Sequence, residues 1–280
     1  MSERASAVAP RVDWRHRWTA AALARRSLTV AVGAPLFIGA VWLGGWLFAA
    51  VVAVLAAAGA LEFRQIARAA GLQPSRLAVV GAPAFPALAA AGRWDLTDAL
   101  LPLIAVAAGA LALRGDRRSH ALPNAAADLL GAVYVGALLA YLTRLRGDLG
   151  LTVTLIVLAT IWANDIAAYF AGVMWGRHKL APAISPGKSV EGVIAGLAAA
   201  VAVAVGAGLR LSWPLPVAAL IGLIVALAAV TGDLWESALK RSAGLKDSGG
   251  LLPGHGGVLD RFDAVLFGAP VGYYLVRWLT

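Results

Sequence analysis

Residues 213–241 read WPLPVAALIGLIVALAAVTGDLWESALKR. No ionisable side chain occurs from Trp213 to Gly232; then Asp233, Glu236, Lys240 and Arg241 follow in quick succession. About 20 consecutive apolar residues in a helix cover the hydrocarbon core of a bilayer. The first part therefore reads as a membrane span, and the second as a charged segment where that span ends. On a helix, Asp233, Glu236 and Lys240 would share one face. That face reads equally as a solvated span end with a Glu236–Lys240 ion pair.

The rest of the chain repeats the first half of this pattern. Of its 280 residues 60% are hydrophobic and 14% are charged, with a mean hydropathy of +0.78. Soluble domains carry roughly 25% charge, so the excess apolar surface must face lipid. Further spans are expected at about 27–43, 46–66, 76–92, 97–113, 124–143, 150–174, 188–209 and 258–279, with Gly44, Gly45, Gly71 and Pro74 marking two of the connections. The fold class is thus an all-α polytopic bundle of about nine spans. Residues 1–26 read as an uncleaved interfacial tail, 27–150 as N-terminal transmembrane helices, and 151–280 as a catalytic region with polar loops at 175–188 and 233–257.

Charge supplies the orientation. With the N-terminus in the cytoplasm, 19 of the 24 Lys and Arg residues fall on the cytoplasmic side and five outside, as the positive-inside rule expects. Both polar loops then face the cytoplasm, where nucleoside triphosphates are found, and the expected location is the cell (inner or plasma) membrane. The net charge of +9 is explained the same way. No basic stripe with interleaved aromatics suggests nucleic acid. The absence of cysteine excludes disulfides, thiolate catalysis and cysteine-ligated metals.

Seven of the fifteen acidic residues lie between positions 165 and 263: Asp165, Glu191, Asp233, Glu236, Asp247, Asp260 and Asp263. Acids at or inside span ends need a cationic partner, so this concentration points to a functional site. Asp260 and Asp263 stand three apart at the start of the last span and face the same way. Two such carboxylates repel unless a cation bridges them, and hard oxygen ligands suit Mg²⁺ beside phosphates. A helix N-terminus that favours acids would look alike. Between these segments, 244–257 packs six glycines and Pro253 around Lys246, Asp247 and His255, a loop able to approach an anion closely. In the other loop Gly187-Lys188-Ser189 lacks the upstream glycine and the strand of a P-loop. What remains there is a basic, Ser-containing turn into a helix N-terminus. Asp165 and Tyr169 lie one turn apart in a nearby span. No nucleophile elbow and no zinc-binding His pair occurs.

Read together, Ser237-Ala-Leu-Lys240-Arg241, Lys246-Asp247 and Pro253-Gly254-His255-Gly256-Gly257-Val-Leu-Asp260-Arg261-Phe262-Asp263 resemble the signature of the bacterial-type phosphatidate cytidylyltransferases (CDP-diacylglycerol synthases). Asp165 with Tyr169, and Ser185, Lys188, Ser189 and Glu191, fit the same family, and the likeness spans about 162–263. The resemblance implies transfer of the cytidylyl group of CTP to phosphatidate, Mg²⁺ dependence and a homodimer. The expected metal ligands are Asp233, Asp260 and Asp263, holding one or two cations. Lys240, Arg241, Lys246, Arg261 and Lys188 are expected to neutralise phosphate, with Asp247 and His255 also catalytic. Glu191, Glu236, Ser237, Ser185, Asp165, Tyr169, Gly254, Gly256 and Gly257 complete the expected substrate site. A related polyprenol or phytol kinase, or a transporter using intramembrane acids, are the competing readings.

Overall fold

The computed structural model describes residues 20–251 and 256–280. The interfacial tail, apart from its last few residues, therefore lies outside the described residues, as do Gly254 and His255. The chain runs through α1 (Ala20–Leu43), α2 (Gly45–Ala69), α3 (Leu77–Gly81), α4 (Ala84–Ala90) and α5 (Trp94–Ala112). A 3-10 turn (Gly115–His120) leads into α6 (Ala121–Gly131), which continues through a π turn (Ala132–Ala137) into α7 (Leu138–Asp148). Next come α8 (Gly150–Trp175), strands β1 (Lys179–Ala181) and β2 (Ser185–Ser189), α9 (Val190–Arg210), α10 (Leu215–Ser242) and α11 (Leu259–Leu279).

The fold is a helical membrane bundle. Among the described residues six helices are long and apolar enough to cross a bilayer: Gly45–Ala69, Trp94–Ala112, Gly115–Asp148, Gly150–Trp175, Val190–Arg210 and Leu215–Ser242. Three expected spans fall outside that group. The described apolar part of α1 is short, 76–92 breaks into α3 and α4 around Ala82 and Pro83, and α11 opens on Asp260, Arg261 and Asp263. The chain turns at Gly44 with φ +67°, where the Arg146 guanidinium leaves no room for a Cβ. Arg146 donates to the carbonyls of Val41 (2.7 Å) and Trp42 (2.9 Å), satisfying the open end of α1.

Two expectations need correction. The polar segment beginning at Asp233 is not a loop: α10 carries it as helix to Ser242, because Glu236 and Lys240 find partners that allow their burial. The 175–188 loop holds an antiparallel hairpin, with Lys179 opposite Ser189 and Ala181 opposite Ser185. The bundle is therefore not purely helical.

The C-terminal helices pack closely because their contact faces are small. Along α9, Gly192, Gly196, Ala200, Ala204 and Gly208 recur every four residues and are buried, against α8 on one side and α10 on the other. Such stripes let helix backbones approach where lipid offers no hydrophobic driving force. The same device joins α10 to α11. A Cβ on Gly232 would collide with the Asp263 carbonyl and press on Phe267, so this glycine allows the two aspartate-bearing helices to touch.

Candidate active site

Helices α8, α9, α10 and α11 and the hairpin surround a cavity of about 770 Å³. Asp165 comes from the middle of α8. Lys188 and Ser185 come from β2, Asp233 from α10, and Asp260, Arg261 and Asp263 from the start of α11. The sequence separates these residues by almost one hundred positions, and the touching backbones at Gly232 and Asp263 bring the last pair together. Asp165, Asp233 and Asp263 lie within electrostatic reach of one another. Lys188 answers part of that negative charge through an ion pair to Asp233 at 2.5 Å. Ser237 lies 3.4 Å from the other Asp233 oxygen, and Asn164 donates to Asp165 at 3.0 Å.

Asp260 is occupied differently. One oxygen pairs with Lys240 Nζ at 2.5 Å. The other accepts from the amides of Ser248 (3.0 Å) and Gly257 (2.7 Å) and lies 2.9 Å from Ser248 Oγ. Lys240 also pairs with Glu236, and the two are 8% and 0% exposed. Asp260 is thus anchored by protein donors at the cavity edge, while Glu236 and Lys240 form a buried support beneath it, outside the lining. Burying these charges is tolerable only because each faces an opposite charge.

Other expected site residues also turn out to hold the frame. Glu191 accepts from the amides of Arg177 (3.1 Å) and His178 (3.2 Å) and meets His178 Nδ1 at 2.6 Å, fastening the hairpin to the start of α9. Ser189 caps that helix by accepting from the Gly192 amide at 3.1 Å. Arg241 donates to the carbonyls of Ile184 (3.3 Å) and Leu245 (2.9 Å), tying the hairpin to the end of α10. Tyr169 lines the cavity but is 66% exposed. Lys246 and Asp247 are exposed and outside the lining. Gly256 has φ +81°, and a Cβ there would lie 2.7 Å from Asp260 Oδ2. Gly257 has no room for a side chain between Ser248 and Glu62.

Glu62 is the residue that the sequence reading passed over. It sits in α2, is 0% exposed, and accepts from the amides of Val258 (2.9 Å) and Leu259 (2.9 Å). Its Oε2 also lies 3.2 Å from Ser248 Oγ. Ser248 has one hydroxyl hydrogen and therefore serves Glu62 or Asp260 at any instant. Glu62 caps the start of α11 from a helix far away in sequence, where an anion also complements the helix dipole. The signal was available: an acid in the otherwise apolar stretch Ala56–Phe63 is the same anomaly that drew attention to Asp165.

A cytidylyltransferase family model matches residues 24–279. The chain belongs to this cytidylyltransferase family. Among curated members of the family, the phosphatidate cytidylyltransferase of Synechocystis sp. is 36% identical over 285 residues, covering 90% of this chain and 96% of the relative. That of Bacillus subtilis is 43% identical over 151 residues, covering 52% and 56%. The Staphylococcus aureus enzyme is 34% identical over 252 residues, covering 88% and 96%. The family therefore extends over the N-terminal helices as well as the signature region.

The resemblance implies Mg²⁺. Among the described residues no three carboxylate or imidazole side chains form a ready-made metal cage, and Asp260 is already filled by Lys240, Ser248 and Gly257. Asp233 and Asp263 remain as hard oxygen donors on touching helices at the cavity wall. Two carboxylates suit an ion that keeps several waters and takes its other ligands from phosphates. The residues present fit Mg²⁺ on those terms.

Proposed function

We propose that this chain transfers the cytidylyl group of CTP to phosphatidate, giving CDP-diacylglycerol and pyrophosphate at the cytoplasmic face of the membrane. The observation that carries the reading is the cavity in which Asp165, Asp233 and Asp263 face Lys188 and Arg261 between membrane helices. Such a site offers cations to phosphate oxygens and carboxylates to a metal, within reach of a lipid whose chains stay in the bilayer.

The chemistry needs no protein nucleophile. A phosphate oxygen of phosphatidate attacks the α-phosphorus of CTP, the bond from that phosphorus to the bridging oxygen breaks, and pyrophosphate leaves with the electron pair. Catalysis is then positioning and charge neutralisation. Lys188 and Arg261 neutralise phosphate oxygens at the cavity wall, with Ser185 beside them. Lys240 acts one layer down: it holds Asp260, which in turn holds the amides of Ser248 and Gly257. Asp233 and Asp263 would hold Mg²⁺, which supplies charge stabilisation for the phosphates when bound. The nine-span topology with a cytoplasmic N-terminus belongs to this proposal and rests on the distribution of Lys and Arg; the homodimer rests on the resemblance alone.

The test is a detergent-solubilised assay with phosphatidate, Mg²⁺ and either CTP or ATP. Pyrophosphate and CDP-diacylglycerol should form with CTP, and Asp263→Ala should lower turnover by about 10²-fold or more in protein that remains folded. Phosphorylation of an isoprenoid alcohol with no product from phosphatidate would overturn the reaction. Undiminished turnover in the variant would overturn the assignment of Asp263.

A further inference from the structure

A second polar cavity, of about 620 Å³, opens between the end of α2, the turn that follows it and the 3-10 turn before α6. Arg64, Arg68 and Arg117 line it together with the 71–75 turn. It lies at the same end of the bundle as the catalytic cavity, since Glu62, just before Arg64 on α2, caps α11.

The walls are held by buried polar groups that the reaction does not use. Asn124 and Asp128 on α6 are 1% and 0% exposed. Asn124 accepts from the Gln73 amide at 2.7 Å, and Asp128 accepts from the Ser75 amide at 2.7 Å. Arg117 pairs with the second Asp128 oxygen at 2.6 Å and donates to the Gln73 carbonyl at 2.8 Å. Arg64 Nε donates to the Ser75 carbonyl at 2.7 Å. The turn is thereby locked, and Arg64 and Arg117 are held beside the space that Arg68 also lines.

Charge there does not balance. Arg64 has Arg68, Arg76 and Arg117 as cationic neighbours and Asp128 as its acidic one, and both oxygens of Asp128 are already engaged. Among the described residues, the Arg68 guanidinium makes no hydrogen bond or ion pair. Interfacial arginines that merely mark the cytoplasmic side extend into the headgroups. They need no buried Asn–Asp scaffold to hold them together against their own repulsion. A guanidinium cluster with a fixed fork geometry suits the tetrahedral oxygens of phosphate.

We infer that this pocket binds a phosphate-bearing anion, at a site separate from the catalytic cavity. Its position at helix ends offers two sources, the headgroup of an anionic phospholipid and a soluble phosphate, and the experiment separates them. The full chain in neutral detergent is melted with increasing phosphatidylglycerol, with phosphatidylcholine at the same concentrations, or with inorganic phosphate. Arg68→Gln is the principal variant, since Arg68 is exposed and supports no backbone group; Arg64→Lys is the second, keeping the charge and losing the fork. Lys188→Gln removes a cation from the catalytic cavity, so a ligand bound there is recognised by its sensitivity to that change.

Phosphatidylglycerol should raise the melting temperature of the unsubstituted protein and of Lys188→Gln alike. The concentration giving half the rise should increase roughly tenfold in Arg68→Gln, as expected for one lost guanidinium–phosphate contact. An equal Arg68-dependent rise with inorganic phosphate would make the source a soluble anion; a rise with the lipid alone would make it the headgroup. A rise that is untouched by Arg68→Gln and Arg64→Lys, that is lost in Lys188→Gln, or that phosphatidylcholine matches would overturn the inference, as would no rise with either anion. No turnover is measured, so the outcome is independent of the proposed reaction.

Discussion

Lys240 shows how one side chain can carry a site without lining it. It is buried between Glu236 of its own helix and Asp260 of α11, so removing its charge strands two carboxylates away from water. Lys240→Met should cost about 3–5 kcal/mol, seen as a lowered melting temperature. Adding Glu236→Leu should return part of the loss, because one stranded charge disappears with it. The Glu236–Lys240 pair was legible in the sequence from i,i+4 spacing. Its burial was not, because the third partner arrives from another helix and local periodicity carries no information about that. Asp165, Asp233 and Asp263 were legible for a simpler reason: ionisable groups among apolar residues stand out. Glu62 obeys the same rule and went unread because no recognisable motif surrounds it.

Among the elements, the α10–α11 contact sets the distance between Asp233 and Asp263. Gly232→Val would place a branched side chain against the Asp263 carbonyl. Overpacking of this kind costs about 1–3 kcal/mol. Since the helices must part where the two aspartates meet, turnover should fall more steeply than stability, as paired assay and melting measurements would reveal. Glu62→Gln tests the start of α11. The neutral amide keeps one acceptor oxygen where the carboxylate used two, so amide hydrogen exchange should quicken at Val258 and Leu259 while the middle of α11 stays protected. Helix positions were largely readable from apolar run length. Helix ends were not: the charges from Asp233 to Arg241 argue for a loop until their partners are known, and nothing in Gly176–Ser189 announced a hairpin.

For the whole molecule, sidedness is the property open to test. The chain has no native cysteine, so single cysteines report without background. In intact cells, Ser119→Cys and Asp247→Cys should resist a membrane-impermeant maleimide and react once the membrane is opened, whereas Thr97→Cys should react from outside. The opposite pattern would reverse the proposed topology. The overall class was the most legible feature of all, because hydropathy sums over the chain and needs no contact information. The arrangement of helices around one cavity was beyond reach, since small residues such as Gly196 and Gly222 permit close packing without naming the neighbour.

The carboxylate of Glu62 also bears on how such a chain can be divided or can diverge. A fragment beginning at α8 would hold nearly every signature residue yet lack the group that caps its last helix. Expressed alone it should be inactive, and supplying the first seven helices as a separate polypeptide should restore function if the pieces reassemble. Over evolutionary time position 62 is expected to drift only together with positions 248 and 257, making an unremarkable acid in the early part of the gene a covarying partner of the catalytic signature.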